Sequence, residues 1–135
     1  MEVALEACIA AGKAVMPYFN GAQYQVREKS HDNPVTSADL EADRIMKEVI
    51  LREFRGDFWL SEEQADTPDR IGKSRVWIVD PIDGTKEFIE NVPEFSLSVG
   101  FVVDGTPAAA VVFNPARNEM FSASRGEGKI GRAHV

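Results

Sequence analysis

Residues 80–85 read Asp-Pro-Ile-Asp-Gly-Thr and follow the apolar run 76–79. Two carboxylates, Asp80 and Asp83, stand three residues apart at the C-terminal end of a buried strand, and Pro81 stiffens the corner between them. The backbone carbonyl of Ile82 lies between the two as a third oxygen donor. A hard cation such as Mg²⁺ asks for few oxygen ligands with waters left in place. Gly84 and Thr85 then add unhindered N–H groups and a hydroxyl where a short helix is expected to begin, a place that suits phosphate. Composition alone fits a polar strand-end turn equally well.

A second Asp-Gly-Thr, residues 104–106, serves as its control. Val102 and Val103 precede it and an apolar strand resumes soon after, so it reads as a hairpin turn without chemistry. Three further groups carry candidate chemistry. Thr36-x-x-Asp39 has the spacing of a helix capping box, a role compatible with a catalytic one for Asp39. Ser61-Glu62-Glu63 stands at the end of the short strand FWLS, and its glutamates read either as a solvated pair or as ligands. Lys29, the third, reads on its own as a common surface lysine. His31 and His134 have no partner at ligand spacing and read as exposed. Cys8 shares an amphipathic helix with Ala4, Ala11 and Val15 and reads as a core thiol.

DPIDGT after an apolar strand resembles the signature of the inositol monophosphatase superfamily of metal-dependent, lithium-sensitive phosphatases. Ser61-Glu62-Glu63 resembles the family's Gly/Ser-Glu-Glu, and Asn33-Pro-Val-Thr-Ser-Ala-Asp39 its Pro-Val-Thr-x-Ala-Asp, both in the family's order. The resemblance implies that Glu62, Asp80, Asp83 and the Ile82 carbonyl hold two or three Mg²⁺ ions. It also implies that Asp39 and Thr85 activate water, while Gly84 and Thr85 cradle the substrate phosphate. Lys86-Glu87-Phe88-Ile89 resembles the 3′(2′),5′-bisphosphate nucleotidase branch, as does Lys29, seven residues before Thr36. Inositol monophosphate and histidinol phosphate are the alternative substrates.

Positioning these groups falls to two helices and a sheet. Residues 2–19 read as a helix stopped near Pro17 to Gly21. A second runs from about Thr36 to Phe54, with an apolar stripe of Ala38, Ala42, Ile45, Val49 and Ile50. Strands are expected at 58–61 and 76–80, a short helix at 86–90, a turn at 31–34 and a loop at 66–74. From Phe95 the chain reads as a strand meander to about residue 126. Phe95, Leu97, Val99, Phe101 and Val103 share one face, and Ser96, Ser98 and Gly100 share the other. The expected class is α+β: two N-terminal helices on a mostly antiparallel sheet, a single domain over 1–135 matching the N-terminal domain of the family.

The chain has 22 acidic against 15 basic residues, a formal charge of −7, which argues against a nucleic-acid polymer as partner. No apolar run is long enough to span a bilayer, and Glu2 and Glu6 stand where a signal peptide would be basic, so a cytoplasmic place is expected. The family's later Trp-Asp-x-Ala motif, whose aspartate completes the site, has no counterpart here. That departure implies impaired turnover. It also leaves the Ser96/Ser98/Gly100 face and a strand edge open, from which a homodimer or larger oligomer is expected. A non-catalytic interaction module is the competing reading.

Overall fold

The computed structural model describes residues 1–30, 33–65, 67–126 and 130–134. Helix α1 (Glu2–Phe19) leads through the strand pair β1 (Val26–Ser30) and β2 (Asn33–Thr36) into α2 (Ser37–Glu53). Then come β3 (Phe58–Ser61), β4 (Arg75–Asp83), the short helix α3 (Thr85–Ile89), β5 (Ser96–Val103), β6 (Thr106–Asn114), β7 (Glu119–Ser124) and β8 (Ile130–His134). The last six strands form one sheet in chain order, β3 to β8. All neighbours are antiparallel except β3 and β4, which run parallel.

The helices lie on one face of this sheet. Val3, Ala7, Cys8, Ala11 and Val15 of α1 and Ala38, Ala42, Met46 and Ile50 of α2 are buried in one core with Val79, Leu97, Val99, Val111 and Phe113. The alternation read in β5 therefore sets the bed: Phe95, Leu97 and Val99 are buried, and Phe101 stacks on Trp77 at 4.3 Å between ring centres. Gly12 lets the two layers touch, since a Cβ there would meet the Phe113 ring at 2.6 Å. Burial pushes the Cys8 thiol up to about 12, as befits a core residue.

The opposite face carries neither α1 nor α2, and Arg70 of the 66–74 loop lines a hollow there with Leu60, Val76, Ile78 and Val102. Ile78 and Val112 stand 46% and 39% exposed there, beside Ser98 and Gly100. No helix among the described residues is long and apolar enough to cross a membrane.

Several expectations need adjustment. The sheet does not stop near residue 126, because β8 pairs with β7 through Ile130–His134. Asn33 and Pro34, expected in a turn, belong to β2; His31 and Asp32 lie outside the described residues, and so does the side chain of His134. The short helix begins at Thr85, one residue early, and the 66–74 loop contains a single 3₁₀ turn at Pro68–Arg70.

Candidate metal and phosphate site

The parallel pair creates the site. Ser61 is in register with Val79, so β3 and β4 end side by side. The Glu62 N–H donates to the Val79 carbonyl at 3.1 Å, which sets Glu62 beside Asp80. An antiparallel pair would have sent the two carboxylates to opposite ends.

A bulge brings the second strand carboxylate round. Asp80 pairs with Ser98 and Asp83 with Ser96, so Pro81 and Ile82 together oppose only Leu97. In a regular strand, residues three apart point to opposite faces. The extra residue restores the phase, and Asp80 and Asp83 share a face with Ser98 and Ser96. Pro81 sits inside the bulge, where no ladder N–H is required.

Thr85 opens α3 directly after the bulge. Its hydroxyl lies 2.9 Å from Asp39 Oδ1 and 3.2 Å from the Ile82 carbonyl. Asp39 is buried in the first turn of α2 and carries the capping box as well: its Oδ2 receives the Thr36 N–H at 2.8 Å and the Thr36 hydroxyl at 2.5 Å, while its own N–H donates to Thr36 Oγ1. One carboxylate oxygen serves the helix and the other meets Thr85. Gly84, before Thr85, has φ 92°, and a Cβ there would meet the Glu94 carbonyl at 3.0 Å. Both the backbone angle and the space demand glycine.

A cleft of about 330 Å³ is lined by Glu62, Asp80, Ile82 and Asp83, the four expected ligands. Gly84, Thr85 and Lys29 line it too. Its electrostatics show the cost of crowding acids. Asp80 is pushed up to about 7 by burial first, then by the charges of Asp83, Glu62, Glu63 and Asp39. Glu63 is also raised, by burial and then by Asp39, with Lys29 opposing. Lys29 Nζ lies 3.4 Å from the Glu63 carboxylate, 3.4 Å from the Glu62 carbonyl and 3.9 Å from Glu62 Oε2.

The donor set is all oxygen, and its mutual repulsion is of the kind a hard divalent cation relieves. As placed, no three acidic or imidazole or thiol groups among the described residues converge tightly enough to hold an ion. The Glu62 side chain is 63% exposed and faces Lys29 Nζ at 3.9 Å, so little packing holds its rotamer.

Trp59 and Trp77 are both buried in the core. Both indole N–H groups are committed, Trp59 to Asp43 Oδ1 at 3.1 Å and Trp77 to Asp57 Oδ2 at 2.9 Å. Asp43 was not singled out at all. Its position four residues after Asp39, on the same helix face, was the available signal.

The model of the inositol monophosphatase family matches residues 1–132. The chain belongs to the inositol monophosphatase family. A histidinol-phosphatase of Chlorobaculum parvum is 38% identical over 95% of the chain and 49% of that protein. A 3′(2′),5′-bisphosphate nucleotidase CysQ of Escherichia coli is 37% identical over 87% of the chain and 48% of its own length. The crystal structure of the extragenic suppressor protein SuhB from Bartonella henselae superposes with a TM-score of 0.90 at 28% identity, covering 98% of the chain and 51% of SuhB. The chain thus spans about half the length of the inositol monophosphatase family relatives it matches, and corresponds to their N-terminal half. Members of the inositol monophosphatase family are metal-dependent phosphatases, generally using Mg²⁺.

Proposed function

We propose that this chain carries the metal- and phosphate-binding part of a Mg²⁺-dependent phosphomonoesterase acting on a small phosphorylated substrate in the cytoplasm. The observation that carries the reading is the Thr85–Asp39 hydrogen bond, made between residues 46 positions apart beside the carboxylate cleft. A cap for α2 needs only Asp39 and Thr36, so the contact to Thr85 has a separate purpose.

Glu62, Asp80, Asp83 and the Ile82 carbonyl are the groups that would hold two or three ions. When bound, Mg²⁺ lowers the pKa of a water and neutralises phosphate and leaving oxygen. The chain's own part is orientation. With its proton given to Asp39, Thr85 Oγ1 presents lone pairs to the cleft and accepts a hydrogen from an adjacent water. That water's own lone pair is then turned away from Thr85, and Asp39 is placed to take up a proton through the hydroxyl. Gly84 lets the backbone approach the phosphate, and Lys29 offers a cation near the Glu62–Glu63 turn.

Within the class, a 3′(2′),5′-bisphosphate nucleotidase-like substrate is supported by Lys86-Glu87-Phe88-Ile89 and Lys29. The nearly equal identities to a histidinol-phosphatase and to CysQ do not separate the branches. Phosphate release from adenosine 3′,5′-bisphosphate, inositol 1-phosphate and histidinol phosphate, with and without Mg²⁺ and with added Li⁺, is the test. Mg²⁺-dependent, Li⁺-inhibited release supports the reading; none from any ester under any metal condition overturns it for this chain.

The exposed Ile78 and Val112 support a second reading, in which the domain works without catalysis as a module that pairs its open sheet face with a second copy. Association without phosphate release would favour it.

A further inference from the structure

Helix α2 reaches the site at two points one helical turn apart. Asp39 receives the Thr85 hydroxyl. Asp43, buried and four residues on, faces β3 and the turn beyond it. Its Oδ1 takes the Trp59 indole N–H at 3.1 Å and its Oδ2 the Gln64 amide at 3.0 Å. Gln64 in turn closes a tight turn onto the Ser61 carbonyl at 3.2 Å, with Glu62 and Glu63 as its two central residues.

A carboxyl group is costly to bury without donors, and the buried Trp59 N–H satisfies only one of the two Asp43 oxygens. Here each oxygen meets one donor, and one of the two donors comes from a side chain on the exposed turn. We propose that Asp43 is a positioning residue: acting through Gln64, it fixes the Glu62–Glu63 turn against α2. One helix then sets both the Thr85 side and the Glu62 side of the cleft. The consequence for metal affinity rests on the reading of Glu62 as a ligand; the tether itself does not.

Gln64 is exposed, so Gln64→Ala cuts the tether without opening the core. In the metal-free protein, amide exchange at Glu62 and Gln64 is expected to quicken about tenfold in that variant, with β4 and β5 unaffected. The Kd for Mn²⁺, measured by calorimetry, should rise roughly tenfold, the usual size of an outer-shell loss. Because Gln64 acts through Asp43, the double variant Asp43→Leu/Gln64→Ala, in which residue 43 keeps no acceptor, should bind Mn²⁺ no more weakly than Asp43→Leu alone. Unchanged exchange in Gln64→Ala, or additive losses in the double variant, overturns the proposal. Faster exchange in a protein whose parent binds no Mn²⁺ upholds the tether and rejects Glu62 as a ligand.

Discussion

Asp80 and Asp83 occupy the same face of β4 although they stand three positions apart, because a bulge at Pro81-Ile82 adds one residue against Leu97 of β5. The two charges therefore oppose each other in the metal-free state: after burial, Asp83 is the largest contributor to the raised Asp80.

Replacing Asp83 with Asn should remove a proposed ligand and that repulsion together. Mg²⁺-dependent phosphate release is expected to fall at least a hundredfold, while the melting temperature holds or rises. Activity assays and circular dichroism melts check both halves, and turnover equal to the parent's would remove Asp83 from the ligand set.

The pH dependence follows from Asp80. Its folded value of about 7 lies above the ordinary 3.8, so the folded protein keeps a proton that the unfolded chain has lost. Its contribution to stability is complete below about 3.8 and disappears as pH rises through about 7. Glu63 is shifted the same way. Metal-free melts should therefore show less stability at pH 8 than at pH 5.5. Mg²⁺ should bind more tightly over the same rise, releasing protons detectable by calorimetry in buffers of different ionisation enthalpy.

Thr36 and Thr85 divide the two duties of Asp39. Thr36→Ala removes the cap hydroxyl and should cost about 1 kcal/mol of stability, read by urea denaturation, with a smaller effect on turnover. Thr85→Ala should spare stability and depress turnover by roughly a hundredfold or more, in the range of a lost acid–base group. Thr85→Ser, which keeps the hydroxyl, should restore most of it. Equal turnover losses at both threonines would mean that Asp39 matters only as a cap.

Ile78 and Val112 test self-association. Sedimentation at high micromolar concentration is expected to show a dimer or larger species that Ile78→Lys or Val112→Lys dissociates. A monomer in the parent protein would leave the open face without its proposed occupant.

What could be read beforehand follows the range of the interactions. The ends of α1 and α2 were legible because apolar period, the Asn20-Gly21 stop and the Thr36–Asp39 box are all local. The meander was legible through Asp104-Gly105 and the alternation after Phe95. The bulge was not, because it exists only in the register of β4 against β5; from spacing alone Asp80 and Asp83 point apart. Nor was the parallel sense of β3, which brings Glu62 to Asp80 across a long connection. Strand β8 escaped because residues 126–131 hold three glycines and no alternation. The Asp43–Trp59 bond escaped because an indole buried in a core looks complete without a partner.

The parallel placement of β3 bears on the order of assembly. Strands β5, β6 and β7 zip together through short turns, whereas β3 is a four-residue edge whose union with β4 must first close the loop between them. Docking of that edge is then expected to follow the zipping of the hairpins. An ion bridging Glu62 and Asp80 across that edge would act as a clasp between β3 and β4.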